Sequence, residues 1–258
     1  MTQSALKAFK TFLHPDSPAA VYRHPGRFFN FLFASWLNWG LRLGERIRPG
    51  NRVTCNICGW RGRRFGYAAA VPVDFFEPDD LCLNCASNPR TRSLIDLLVR
   101  EIGLSGNLTV ADVGAAASTR IFFRRYPEIR YLVVDRYKEA DVFSDIGDIR
   151  LPADSVDRIL CCHVLEHIDD YRKGIAELFR ILRGGGSGII AVPQTPGLAR
   201  SERTHEAAFQ ESGYVWEFGD DFADRLRDAG FRVRTVVVPA DGSKKKPEPM
   251  PYHLVHKP

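Results

Sequence analysis

The chain has 258 residues, 45% hydrophobic and 26% charged, which excludes a disordered, collagenous or disulfide-framework protein. No stretch approaches the ~18 consecutive apolar residues of a membrane-spanning helix, and no secretory leader is evident, so the expected location is the cytoplasm. Net charge is +5, but residues 1–64 hold 11 Lys/Arg against Asp16 and Glu45, leaving 25 against 29 in the remainder.

That basic first quarter could meet nucleic acid, anionic lipid or a phosphorylated substrate, or could form a solvated face. Within it, residues 27–47 predict a helix. Phe28, Phe29, Leu32, Trp36, Trp39 and Leu43 recur at helical spacing, widened by Phe31, Phe33, Leu37 and Leu41. Arg23 and Arg27 precede the stripe, and Arg42, Arg46 and Arg48 close it. This composition suits peripheral contact with a membrane, here its inner face. It equally suits packing on the protein's own body or on a second copy in a homodimer.

Pro49-Gly50 breaks the helix, and two C-x-x-C pairs follow, Cys55/Cys58 and Cys82/Cys85. Gly59 can take the left-handed backbone that a metal knuckle needs. Two such knuckles can hold four thiolates tetrahedrally around Zn²⁺, with no open position, so the metal would be structural. A redox or free-thiol role is the other reading. Cys161 and Cys162 stand adjacent inside an apolar run.

The segment NPRTRSLIDLLVREIGL, residues 88–104, reads as a helix with Gly103 as its C-terminal stop. From Leu108 strands and helices alternate, the signature of a parallel α/β sheet. Strands are expected at 108–113, 131–135, 156–162, 188–192, 231–238 and 252–256, with a weaker one at 141–144. Helices are expected at 118–126, 170–182 and 220–229. Pro, Lys and Glu dominate 243–251, an exposed loop. The boundaries drawn are 1–50 for a basic, aromatic helical segment, 51–90 for a Cys₄ module and 91–258 for the α/β domain.

The strand LTVADVG ends in Asp112 and Gly114, and small residues open the next helix, which suits close approach of a nucleotide-like ligand. The next strand ends in Asp135, where a carboxylate can bind ribose hydroxyls. Then come Asp148-Ile149, LPADSVDRI at 151–159, HVLEH at 163–167 and RILRGGG at 180–186. In these residues the chain resembles the class I S-adenosylmethionine-dependent methyltransferases of the methyltransferase-11-like group. Cys85-Ala-Ser-Asn-Pro-Arg90-Thr-Arg92 resembles a subgroup with a zinc ribbon ahead of that domain.

The resemblance implies a Rossmann-like seven-stranded sheet with helices on both faces, and S-adenosylmethionine at the strand ends. Implied cofactor residues are Asp112, Gly114, Ala115, Asp135, Arg136, Asp148, Ile149 and His163, with Val113 and Ile149 against the adenine. His163 and His167, expected on one helical face with Glu166 beside them, are the candidate bases, because histidine titrates near neutrality. H-x-x-E-H also matches an inverted zinc-protease motif, but the methyltransferase-like context on both sides accounts for the same residues. Implied acceptor contacts are Arg90, Arg92, His205, Gln210 and Tyr214. Relatives of the subgroup carry a Gln-x-Asp-His-x-Arg-like cluster before the last helix; here Gly213, Tyr214 and Trp216 take those places.

Three functions are open on these grounds. The first is O-methylation of a sugar, glycan or specialised metabolite. The second is RNA methylation guided by the basic segment and ribbon. The third is a non-catalytic module retaining the fold.

Overall fold

The computed structural model describes residues 25–70, 75–136, 139–204, 213–238 and 250–258. The chain forms two compact units, Met1–Val53 with Arg61–Leu83, and Thr54–Trp60 with Asn84–Pro258. In the first unit, helix α1 (Pro25–Ile47) begins on a proline, whose missing N–H costs nothing at a helix start. Strands β1 (Gly66–Ala70) and β2 (Phe75–Leu81) form an antiparallel hairpin, pairing Gly66 with Leu81 and Ala70 with Phe75.

The second unit carries the sheet. Helix α2 (Pro89–Leu97) starts on Asn88, whose side chain accepts from the Thr91 amide at 2.9 Å. It runs into a π-turn, Leu98–Ile102, and stops at Gly103 in the left-handed region, φ 80°. Seven strands follow: β3 (Thr109–Val113), β4 (Arg130–Asp135), β5 (Val142–Phe143), β6 (Val156–Cys162), β7 (Leu182–Ala191), β8 (Arg232–Val238) and β9 (Met250–His256). Their order is β8-β9-β7-β6-β3-β4-β5. Neighbours from β5 to β7 are parallel, while β9 runs antiparallel between β7 and β8.

Alternation along β4 sends successive side chains to opposite faces. Val134 joins the buried cluster of Ile175 and Leu178 from α4 (Tyr171–Ile181) and Phe222 and Leu226 from α5 (Phe222–Asp228). On the other face Tyr131 stacks on Phe123 of α3 (Ala117–Phe123), ring centres 4.1 Å apart. Helices therefore cover both faces, as the resemblance implied. Each fully buried Leu, Ile or Phe contributes roughly 1.5–3 kcal/mol.

Each expected strand and helix has an observed counterpart. The largest departure is β7, expected to begin at 188 and observed from Leu182. The glycines between the expected helix and strand pair with the C-terminal segment: Gly185 N–H donates to the Lys257 carbonyl and Lys257 N–H to that of Gly186, at 2.9 and 3.0 Å. Of the loop expected at 243–251, residues 243–249 lie outside the described residues, and Met250 and Pro251 already pair in β9.

Candidate functional site

β3 departs toward β4 on one side and lies against β6 on the other, so the sheet reverses its direction of travel there. Ligands of open α/β sheets bind at such points, beyond the carboxyl ends of the strands. A cavity of about 460 Å³ lies at this place, within the ~300–1,000 Å³ usual for small-molecule sites. Val113 and Gly114 after β3, Asp135 and Arg136 after β4, and His163 and Val164 after β6 all line it. Gly114 has φ +66°, and a Cβ there would sit 2.5 Å from Val164 Cγ2, so only glycine fits.

Two polar atoms of lining residues are buried without a protein partner, Ser144 Oγ and His163 Nε2. Buried polar groups without partners are costly, so both suit a polar ligand in the cavity. Together with the Asp135 carboxylate at a strand end, they fit a nucleoside cofactor.

Other expected cofactor residues lie elsewhere. Asp148 and Ile149 are not in the cavity wall; Ser144, Asp145 and Ile146 are. The sequence SDIGDI holds the Asp-Ile pair twice, three residues apart. Strand β5 ends at Phe143, so the first pair lies at the strand end, and the second is drawn down toward α4. Ile149, buried, donates its amide to Glu177 Oε2 at 2.8 Å, and its carbonyl accepts from Arg180 Nη2 at 2.8 Å. A strand boundary placed at 143 finds Asp145. Ala115 is half-buried beside Gly114 and outside the lining.

Asp112 also points away from the cavity. Its carboxylate accepts from the Tyr131 hydroxyl at 2.6 Å. Burial pushes this carboxyl up to about 6, offset in part by hydrogen bonds from Tyr131 and Thr119 and the charge of Arg120. A raised carboxyl favours the fold when protonated. Its contribution is complete below the unfolded value of ~3.9 and is lost as pH rises through about 6. Asp112→Asn keeps an acceptor for Tyr131 without the charge. Between pH 4 and 7 it should gain on the order of 2–3 kcal/mol over the parent. Denaturant midpoints of both proteins at the two pH values check this; a pH-independent difference would refute the raised value.

HVLEH is not a regular helix. His163 sits at φ 57° with its amide donating to the Ala191 carbonyl at 2.9 Å, and only Leu165–His167 form a short 3₁₀ turn. The two histidines thus do not share a helical face as expected. They meet instead around Glu166, which is 0% exposed. Its Oε1 lies 3.3 Å from His163 Nδ1 and 3.9 Å from His167 Nε2, and neither carboxylate oxygen has a hydrogen-bond partner.

The two rings are held differently. His167 Nδ1 lies 2.8 Å from the Gly213 carbonyl. A carbonyl only accepts, so Nδ1 carries the hydrogen and Nε2 the lone pair. His163 Nδ1 lies 3.3 Å from Arg90 Nη1, which only donates. The Glu166 carboxylate, which only accepts, lies 3.3 Å from the same nitrogen, so a donor and an acceptor share that side of the ring. Tyr214 packs edge-on against His167, centroids 4.9 Å apart, and its hydroxyl is raised by burial and by the charge of Glu166. Gly213 and Tyr214, two of the three residues that depart from the subgroup pattern, are those that position His167. The third, Trp216, donates Nε1–H to the Asp169 carbonyl at 3.1 Å and packs on Tyr171. His205 and Gln210 lie outside the described residues.

The sulfurs of Cys55, Cys58, Cys82 and Cys85 all lie within 4.8 Å of one another, an arrangement that could hold a metal ion. Gly59 (φ 73°) and Ala86 (φ 57°) occupy the same left-handed position after each second cysteine. Gly59 N–H closes the first knuckle on the Cys55 carbonyl at 2.8 Å. Arg92, expected to face an acceptor, is buried here instead: Nη1 donates to the Ser87 carbonyl at 2.6 Å, while its own carbonyl accepts from Asn56 Nδ2 at 2.8 Å. It braces the knuckles.

Residues 113–190 match the methyltransferase domain family. Over 85 residues the chain is 32% identical to a probable S-adenosylmethionine-dependent methyltransferase of Mycolicibacterium smegmatis. That match covers 32% of this chain and 33% of the relative, so the chain spans about a third of that protein's length. Among solved structures, the Burkholderia thailandensis 1,6-didemethyltoxoflavin-N1-methyltransferase is similar in fold, with TM-score 0.52 at 21% identity over 66% of this chain and 78% of its own. It was solved with 1,6-didemethyltoxoflavin and S-adenosylhomocysteine. One chain of the complex between the Haloferax volcanii Trm112 methyltransferase activator and a methyltransferase gives 0.51 at 19% identity, over 66% and 91%. Residues 113–190 are thus similar to a methyltransferase domain, and the unit around them shares the fold of solved methyltransferases.

Proposed function

We propose that this protein transfers a methyl group from S-adenosylmethionine to a hydroxyl of a sugar, glycan or related metabolite. The carrying observation is His167. It is fixed through Nδ1–H on the Gly213 carbonyl at 2.8 Å, with its free Nε2 3.9 Å from the buried Glu166 carboxylate.

The cofactor, when bound, supplies an already electrophilic methyl sulfonium. The protein then has two tasks, to orient the acceptor and, for a hydroxyl, to remove its proton. In this reading His167 Nε2 takes the proton, and the Glu166 carboxylate stabilises the imidazolium that results. His163, held between Arg90 and Glu166, lines the cavity beside it. Asp135 accepts from the ribose hydroxyls, and Asp145 takes the adenine-facing role expected of Asp148. The first turn of α3, whose N-cap Ala116 has no side-chain acceptor, offers amides to the methionine carboxylate. The four cysteines hold one structural zinc.

Calorimetry with S-adenosylmethionine tests the cofactor half. The parent should bind, and Asp135→Ala should bind about 10–100-fold more weakly, the scale for losing charge-assisted hydrogen bonds. Equal affinity would remove Asp135 from the site; no binding by the parent would leave a non-catalytic module. A methyl-transfer screen against hydroxyl-bearing glycans and RNA then separates acceptor classes.

A further inference from the structure

Helix α1 is amphipathic in the inverted sense. Three of its polar side chains, Asn38, Arg42 and Glu45, face its own unit. Asn38 bonds the backbone of Tyr67 twice, accepting from N–H at 2.7 Å and donating to the carbonyl at 2.8 Å. Arg42 Nε donates to the Leu83 carbonyl at 2.8 Å. Glu45 accepts from the amides of Gly50 and Arg63, both at 2.8 Å. Gly66 admits this approach, since a Cβ there would stand 2.4 Å from Asn38 Oδ1.

The opposite face is apolar and exposed. Leu32, Phe33, Trp36, Trp39, Leu43 and Ile47 are all exposed, Trp36 at 65%, Trp39 at 63% and Ile47 at 70%. At 100° per residue they fill a single arc about 120° wide. A helix that bonds its unit through polar groups and turns two tryptophans outward is built for an apolar environment.

Charge selects the occupant. Arg46 and Arg48 are exposed at the end of the stripe, and residues 1–64 carry a net +9. A second copy would set that charge against itself, whereas an anionic bilayer complements it. Among the described residues no helix is long and apolar enough to cross a membrane. We propose that α1 lies in the plane of an anionic lipid surface, with Trp36 and Trp39 buried at the headgroup boundary and the arginines on lipid phosphates. This inference is independent of the methyltransferase reading.

The test uses the full chain with phosphatidylcholine vesicles, alone or mixed with phosphatidylglycerol, read by co-sedimentation and tryptophan emission. The mixed vesicles should bind at least about tenfold tighter than the neutral ones and shift emission to the blue. Trp36→Glu with Trp39→Glu should lower that binding at least about 100-fold. Arg46→Glu with Arg48→Glu should lower it more than about tenfold while leaving the apolar face intact. All four side chains are exposed, and circular dichroism verifies that the variants fold. Failure to bind mixed vesicles, or equal binding to both kinds, would overturn the proposal. So would a dimer in solution that the tryptophan variants dissociate without any vesicle binding.

Discussion

Replacing His167 with alanine should lower the rate of methyl transfer by at least about 100-fold, the lower end of what a general base supplies. S-adenosylmethionine affinity should change less than about threefold, because the loss falls on the step that removes the acceptor's proton. The geometry separates this variant from its neighbour. The Gly213 carbonyl takes Nδ1–H of His167 and leaves its Nε2 lone pair toward the cavity, whereas His163 Nδ1 lies 3.3 Å from both Arg90 and Glu166. His163→Ala should therefore act more on binding than on turnover. Single-turnover rates, with affinity measured separately, make the comparison. Turnover within a few-fold of the parent would show that positioning alone carries the reaction, and that Glu166 only shapes the turn.

Much of the sheet was legible in the sequence, because strand period and strand-end residues are local signals. Asp135, expected from the acidic end of YLVVD, lines the cavity, and His163 and His167 of the HVLEH motif line it too. Where the structure sets residues differently from the expectation, the reasons are ones a linear pattern does not carry. Asp148-Ile149 and Asp145-Ile146 are alike as dipeptides, and what separates them is the point where β5 stops. Arg92 looks like an exposed charge beside Arg90, yet its position on α2 turns it inward onto the Ser87 carbonyl. His163 and His167 have helical spacing, but His163 takes a left-handed backbone directly after β6, which breaks the turn that spacing implies. In α1 the periodicity was correct while the facing was open. Hydrophobic spacing locates a stripe but does not say which side the protein covers, and Asn38, Arg42 and Glu45 settle it by bonding inward.

Removing one cysteine of the 55–85 cluster should release the metal and destabilise the chain by several kcal/mol, since the binding energy of structural zinc is folding energy. The geometry is already near what zinc requires. At a Zn–S bond of ~2.3 Å, a tetrahedron places its sulfurs about 3.8 Å apart, and Cys55 and Cys85 stand at 3.7 Å. The Ser87 hydroxyl lies 3.3 Å from Cys55 Sγ and 3.2 Å from Cys85 Sγ, where it can donate to thiolates. Arg92 in turn holds Ser87 by its carbonyl. Thiolates this close repel one another without a cation, so the proposal of a structural zinc is testable on the metal itself. The purified protein should contain one zinc per chain by elemental analysis, and Cys55→Ser should contain none and melt at lower temperature. Chelation of the parent should reproduce that loss, and added zinc should reverse it. A disulfide-based cluster predicts the opposite dependence, insensitive to chelator and sensitive to reductant. Zinc-free protein that melts unchanged in chelator would leave the four sulfurs gathered by packing alone.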